Sequence, residues 1–123
     1  MEINKRSLEK SEELWQTAQD LILSGCQLYS KGPETHIKGV SPIYIDHGKG
    51  AHVWDPDGNE YIDYDMGLGP IILGYQYKAV DDAVRAQLER GMGYSLVAPE
   101  EVEYAKLCVK HIPSAGKVRF LKT

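Results

Sequence analysis

Residues Ile43–Gly74 read IYIDHGKGAHVWDPDGNEYIDYDMGLGPIILG and hold the most regular pattern in this sequence. Three short apolar, aromatic-rich runs, Ile43–Asp46, Ala51–Asp55 and Tyr61–Tyr64, are separated by His47-Gly48-Lys49-Gly50 and Pro56-Asp57-Gly58-Asn59. Aromatic and β-branched side chains suit a half-buried pleated surface, and the Gly- and Asp-rich tetrapeptides supply turn conformations. The spacing predicts a three-stranded antiparallel meander, with Tyr44 and Trp54 at half-buried positions. Met66-Gly67-Leu68-Gly69-Pro70 then leads into a second apolar run, Ile71-Ile72-Leu73-Gly74.

Upstream, Leu14, Ala18, Leu21 and Ile22 follow a 3.6-residue period, extended by Trp15. They predict a helix over 7–24, capped by Ser7 or Ser11 and ended by Gly25. Its polar face is acidic, the wrong sign for an anionic membrane surface. Residues 27–41, with Gly32-Pro33 and Gly39, read as a loop longer than most within a domain. Downstream, Ala79, Val80, Ala83, Val84 and Leu88 predict a helix over 78–90 with Gly91 as its stop. Gly91-Met92-Gly93-Tyr94-Ser95 reads as a flexible connection. Pro99 opens another helix to about His111, with Glu100, Glu101 and Glu103 near its positive end and Val102, Ala105, Val109 and Ile112 as its buried stripe. Lys117–Lys122 reads as a strand. A helix–turn–strand unit of this kind belongs to an alternating α/β layout that needs further strands, so the sequence reads as a fragment.

The chain has 123 residues, 42% apolar and 26% charged, with a formal charge of −4. That is a globular composition without the basic footprint of a nucleic-acid binder. No apolar run approaches the ~20 residues of a membrane span, and the N-terminus lacks a signal-peptide core. Cys26 and Cys108 show no CxxC spacing and read as free thiols of a reducing compartment. These features together predict a cytoplasmic protein with neither membrane nor nucleic acid as partner.

Local chemistry gives no catalytic site. Asp55-Pro56-Asp57-Gly58-Asn59-Glu60 resembles a calcium loop, but its glycine is fourth instead of sixth, so a turn is the better reading. Gly67-Leu68-Gly69-Pro70 lacks the third glycine and following helix of a dinucleotide fingerprint, yet would let backbone approach a ligand. His36, His47, His52 and His111 show no metal spacing and read as surface or structural residues. Asp63 and Asp65 share a strand face, but no nucleophile accompanies them as an acid/base pair.

Taken together, Gly50-Ala51-His52-Val53-Trp54-Asp55-Pro56-Asp57-Gly58-Asn59-Glu60-Tyr61-Ile62-Asp63-Tyr64 and Gly69-Pro70-Ile71-Ile72-Leu73-Gly74 closely resemble the N-terminal region of class III pyridoxal-phosphate aminotransferases. The nearest likeness is to the glutamate-1-semialdehyde aminomutase branch. Ala98-Pro99-Glu100-Glu101-Val102-Glu103 and Val118-Arg119-Phe120 extend it to the end of the chain. The resemblance implies an α/β fold, the N-terminal part of a type I, aspartate aminotransferase-like, PLP-dependent transferase. Residues 1–74 would give the helix, arm and meander of the small domain, and 75–123 the start of the cofactor-binding large domain. It also implies a homodimer that uses pyridoxal 5′-phosphate to move an amino group to or within a small carbonyl substrate.

On this resemblance Thr123 borders the cofactor's phosphate loop, and Gly67, Leu68 and Gly69 lie on the substrate side. None of the ten lysines falls in the context of the Schiff-base lysine, so the piece alone is expected to be inert. Gly67 and Leu68 stand where the aminomutase has Ser and Trp. Tyr29–His36 offers no counterpart to its carboxylate-binding Arg, and Gly74-Tyr75-Gln76-Tyr77-Lys78 replaces its G-H-x-H-P. The acceptor stays open among the semialdehyde, a keto-sugar and another small amine or aldehyde. The alternative is a free-standing, noncatalytic α+β module for binding or dimerisation.

Overall fold

The computed structural model describes residues 6–121. In chain order the main elements are α1 (Glu9–Leu21), β1 (His47–Lys49), β2 (His52–Trp54), β3 (Glu60–Ile62), α2 (Lys78–Leu88) and α3 (Pro99–His111). Three short 3-10 turns, Leu23–Gly25, Tyr29–Lys31 and Pro33–Thr35, occupy the segment after α1. The chain divides into two compact units, Met1–Asp82 and Ala83–Thr123.

In the first unit the predicted meander forms, in the order β1-β2-β3, with both pairs antiparallel. Its first strand is displaced from the expected place. His47, Gly48 and Lys49 pair with Trp54, Val53 and His52, so the tetrapeptide read as a turn is mostly strand. The reversal falls on Gly50-Ala51 instead, with Gly50 at φ 59. A two-residue hairpin demands such a glycine, and that demand outweighs the strand preference of Ile43-Tyr44-Ile45. Ladder pairing does reach back to Asp46, whose N–H donates to Trp54 O at 2.8 Å.

Val53, the middle residue of β2, points into the core and is 3% exposed. On the opposite face the His47 ring stacks on Trp54, with centroids 4.8 Å apart. All four histidines are exposed, as the sequence suggests.

α1 packs through Leu8, Ser11, Trp15, Ala18 and Ile22: Trp15, Ala18 and Ile22 belong to the predicted stripe, and Leu8 and Ser11 carry it on past the helix start. Leu14 and Leu21 are exposed instead. The cause lies at the helix start. Its N-cap residue is Leu8, which offers no side-chain cap; the Ser7 hydroxyl accepts the Glu9 N–H at only 3.5 Å, and Ser11 is not a cap. Asp57, in the β2–β3 turn, caps the helix from a distance, accepting the Lys10 N–H at 2.9 Å, the Ser11 N–H at 3.0 Å and the Ser11 hydroxyl at 2.7 Å. That contact turns Ser11 inward, where it is fully buried. Gly25 lies beyond the helix end, in the Leu23–Gly25 turn under the Trp15 ring.

Desolvation raises the Asp57 pKa, but hydrogen bonds from the Ser11 side chain and from the Lys10 and Ser11 backbone, with the Lys10 charge, outweigh it. They hold the carboxyl below its ordinary value. A depressed folded-state pKa means that the unfolded chain binds the proton first. The contribution is therefore complete above the unfolded pKa and is lost as pH falls through the folded one. Acid titration followed by far-ultraviolet circular dichroism is expected to show α1 melting in that window, and Asp57→Asn should flatten the transition. An unchanged acid limb in the variant would remove Asp57 from this role.

In the second unit α3 has the predicted bounds, with Pro99 at its first turn and Glu101 reaching back to the Ala98 N–H at 3.5 Å. The predicted connection after α2 is tied down: the Tyr94 hydroxyl lies 2.9 Å from both Arg90 O and Gly91 O and closes the helix end. The predicted strand does not form. Residues 118–121 have no regular secondary structure and no ladder partner among the described residues, although Phe120 stacks on Tyr104 at 4.9 Å. A strand exists only by pairing.

The apolar stripes expected on α2 and α3 are not buried either: Val84, Leu88, Val102 and Ile112 are each about half exposed. Cys26 and Cys108 are free thiols. Among the described residues no helix is long and apolar enough to cross a membrane.

Candidate functional site

The acidic turn read as a possible ion loop spends its oxygens internally. Asp55 is 2% exposed and accepts the Asn59 N–H, the Asn59 side-chain amide and the Tyr61 hydroxyl, each at 2.8 Å. Burial first, then the bond to Asp55, pushes Tyr61 up to about 12. Asn59 also donates to Ser7 O at 2.7 Å, and the Arg6 guanidinium lies 4.6 Å from the Tyr61 ring centre. This knot fastens the hairpin to α1. It is structural.

The glycine-rich exit is different. Met66, Gly67, Leu68 and Gly69 all have positive φ, at 50, 63, 65 and 107°. Glycine takes this region freely, but for Met66 and Leu68 the left-handed conformation costs about 1–2 kcal/mol each. The turn closes through Leu68 N–H to Asp65 O, Gly69 N–H to Met66 O and Ile71 N–H to Met66 O. Strain of this kind persists only where surrounding contacts over-determine it, and it gathers at ligand-facing segments.

Gly67 lines an open cleft of about 690 Å³, together with Cys26, Tyr44, Val53, Asp63 and Tyr75. Leu68 is 63% exposed and, like Gly69, does not line that cleft. Thr123 lies outside the described residues. Of the predicted substrate-side set, the structure thus brings Gly67 to the cleft and leaves Leu68 and Gly69 at the turn's outer surface.

Asp63 and Asp65 do not act as a matched pair. Asp63 Oδ1 accepts the N–H groups of Asp65 and Met66 at 2.9 and 3.0 Å, and Oδ2 accepts the Tyr75 hydroxyl at 2.7 Å. Desolvation raises the Asp63 pKa, but the bonds from Tyr75, Met66 and Asp65 prevail and hold it below its ordinary value. The same bond, then burial, lifts Tyr75 to about 12. Sequence reading missed this link. An Asp two residues before a glycine-rich turn is a signal for such a carboxylate-to-backbone bond, but nothing local announces a phenol twelve residues on.

With the geometry in hand, comparison with known proteins is decisive. The aminotransferase class-III family model matches residues 35–123. The chain belongs to the class III aminotransferases. Glutamate-1-semialdehyde 2,1-aminomutase of Saccharolobus islandicus is 36% identical over all of this chain and 28% of its own length. The enzyme of the same name from Archaeoglobus fulgidus is 40% identical over 94% of this chain and 27% of its own. This class III chain therefore spans little more than a quarter of those relatives. Among solved structures, FumI from a Sphingopyxis species, in its PLP internal aldimine form, superposes with TM-score 0.83 at 26% identity, over 92% of this chain and 27% of that one. The expected fold, the N-terminal part of a PLP-dependent transferase with its three-stranded meander, is the observed one.

Eight of the ten lysines are described, all but Lys5 and Lys122, and every one is exposed. A lysine joined to pyridoxal phosphate must be held against it in an enclosed pocket.

Proposed function

We propose that this chain is the N-terminal part of a cytoplasmic, homodimeric, pyridoxal-phosphate-dependent aminotransferase or aminomutase, which transfers an amino group to or within a small carbonyl compound. The observation that carries this is alignment along the whole chain to enzymes of which it covers 28%. The half-exposed apolar faces of α2 and α3 support it, because such faces pack against further elements in a larger α/β body. In this reading residues 1–74 supply helix, arm and meander to a small domain, and 75–123 begin the large, cofactor-binding domain. Gly67, Leu68 and Gly69 face the substrate side, and Thr123 borders the cofactor phosphate. The cofactor, when bound in the whole enzyme, supplies the electron sink for the chemistry. The part assigned to this chain is to shape the substrate side with a preorganised turn.

The chain alone is then inert. Incubation with pyridoxal phosphate, borohydride reduction and mass measurement are expected to give no stoichiometric pyridoxyl adduct. A one-to-one adduct on one lysine would overturn that. Reading the coding DNA past codon 123 separates the enzyme from a free-standing module. The enzyme requires a Gly-Ser/Thr-Glu-Ala continuation and a later lysine, whereas an in-frame stop supports the module.

A further inference from the structure

The left-handed turn at Met66–Gly69 needs an anchor, and its own hydrogen bonds do not reach the body of the unit. Among the described residues, Asp63 is the one side chain that grips the start of the turn, through the Asp65 and Met66 N–H groups. Its other oxygen is held by the Tyr75 hydroxyl at 2.7 Å. Tyr75 is itself immobilised. Its N–H and C=O exchange hydrogen bonds with Gly50 at 2.8 and 2.9 Å, and its ring lies flat against Gly48, where a Cβ would sit 2.6 Å from ring carbon. A rigid path thus runs from the β1–β2 hairpin through Tyr75 and Asp63 to the turn.

We propose that Tyr75 is a positioning residue: its hydroxyl orients the Asp63 carboxylate, which in turn holds Met66–Gly69 left-handed and fixes where Gly67 and Leu68 stand. The inference deepens the functional reading above, since only there do Gly67 and Leu68 face substrate. It works by geometry and takes part in no bond making. A hydroxyl that merely filled space would be replaceable by hydrogen; one that orients a charged acceptor is not.

The test is amide hydrogen exchange on the 123-residue chain. Tyr75→Phe is expected to speed exchange of the Leu68, Gly69 and Ile71 amides about tenfold, the effect of losing one bond to a charged acceptor. The Ile22 and Gly58 amides should stay as in the wild type. Asp63→Ala should speed the same three amides, and the double variant should go no further, because Tyr75 acts through Asp63. Asp63→Asn should restore protection to within about threefold, its amide oxygen still accepting from the backbone and its nitrogen still able to meet the phenol. Wild-type protection of the turn in Tyr75→Phe, or additive effects in the double variant, would overturn the proposal. So would a Tyr75→Phe chain that loses protection everywhere, because the hydroxyl would then be supporting the unit as a whole. No arm measures activity, so a negative result leaves the family reading untouched, and an adduct or stop codon leaves this one untouched.

Discussion

Asp55→Ala is expected to destabilise the N-terminal unit by about 3 kcal/mol, because it strips a buried acceptor from several donors at once. The carboxylate is 2% exposed and serves two groups of Asn59 and the Tyr61 hydroxyl, all at 2.8 Å. Alanine offers none of them a partner, and water must enter or the turn must open. The unit has little to offset this, with Leu8, Ala18 and Val53 its only apolar side chains below a tenth exposed among the described residues. Urea unfolding followed by tryptophan fluorescence checks the loss, and an unshifted midpoint would refute it. A second readout is independent of stability. Tyr61 sits near 12 partly because of Asp55, so its ionisation in the variant should move down toward the ordinary tyrosine value near ~10.

Gly74→Ala is expected to cost roughly 2–4 kcal/mol, through clash and strain together. Gly74 has φ 85, and a Cβ there would lie 2.9 Å from the Gly50 carbonyl oxygen. That oxygen belongs to the backbone bridge with Tyr75 and cannot retreat without breaking it. Gly58→Ala is the natural control. Its φ is 87 but nothing lies within 4 Å of the added carbon, so only the conformational penalty of about 1 kcal/mol remains. Thermal unfolding of the two variants side by side separates the terms, and equal losses would show that the close approach at Gly74 is unimportant.

What could be read from sequence divides by range. α3 was legible to the residue because its signals are local: Pro99 at the first turn, three glutamates behind it and His111 at the end. The meander was legible as a pattern but not in register. Ile43-Tyr44-Ile45 has the stronger strand composition, yet pairing is set from Gly50, the residue able to make the reversal. The stripe on α1 was legible at Trp15, Ala18 and Ile22, but the burial of Ser11 was not, because its partner Asp57 lies 46 residues away. The glycine-rich turn at 66–69 was visible as glycines. Its handedness was not, since Met66 and Leu68 join it against their own preference under pressure from Asp63 and Tyr75. The family itself was legible, because a run of spaced motifs survives errors in register that a structural reading does not.

The bond between Asp57 and the start of α1 also orders events in time. A 13-residue helix is marginal in water by itself, and here its exposed amide donors are met by a carboxylate translated 46 residues later. Closing that span carries an entropic penalty that only the finished β2–β3 turn can repay. During synthesis, then, α1 becomes secure only once the β2–β3 turn has been made, and any delay between the two leaves the helix open to proteases.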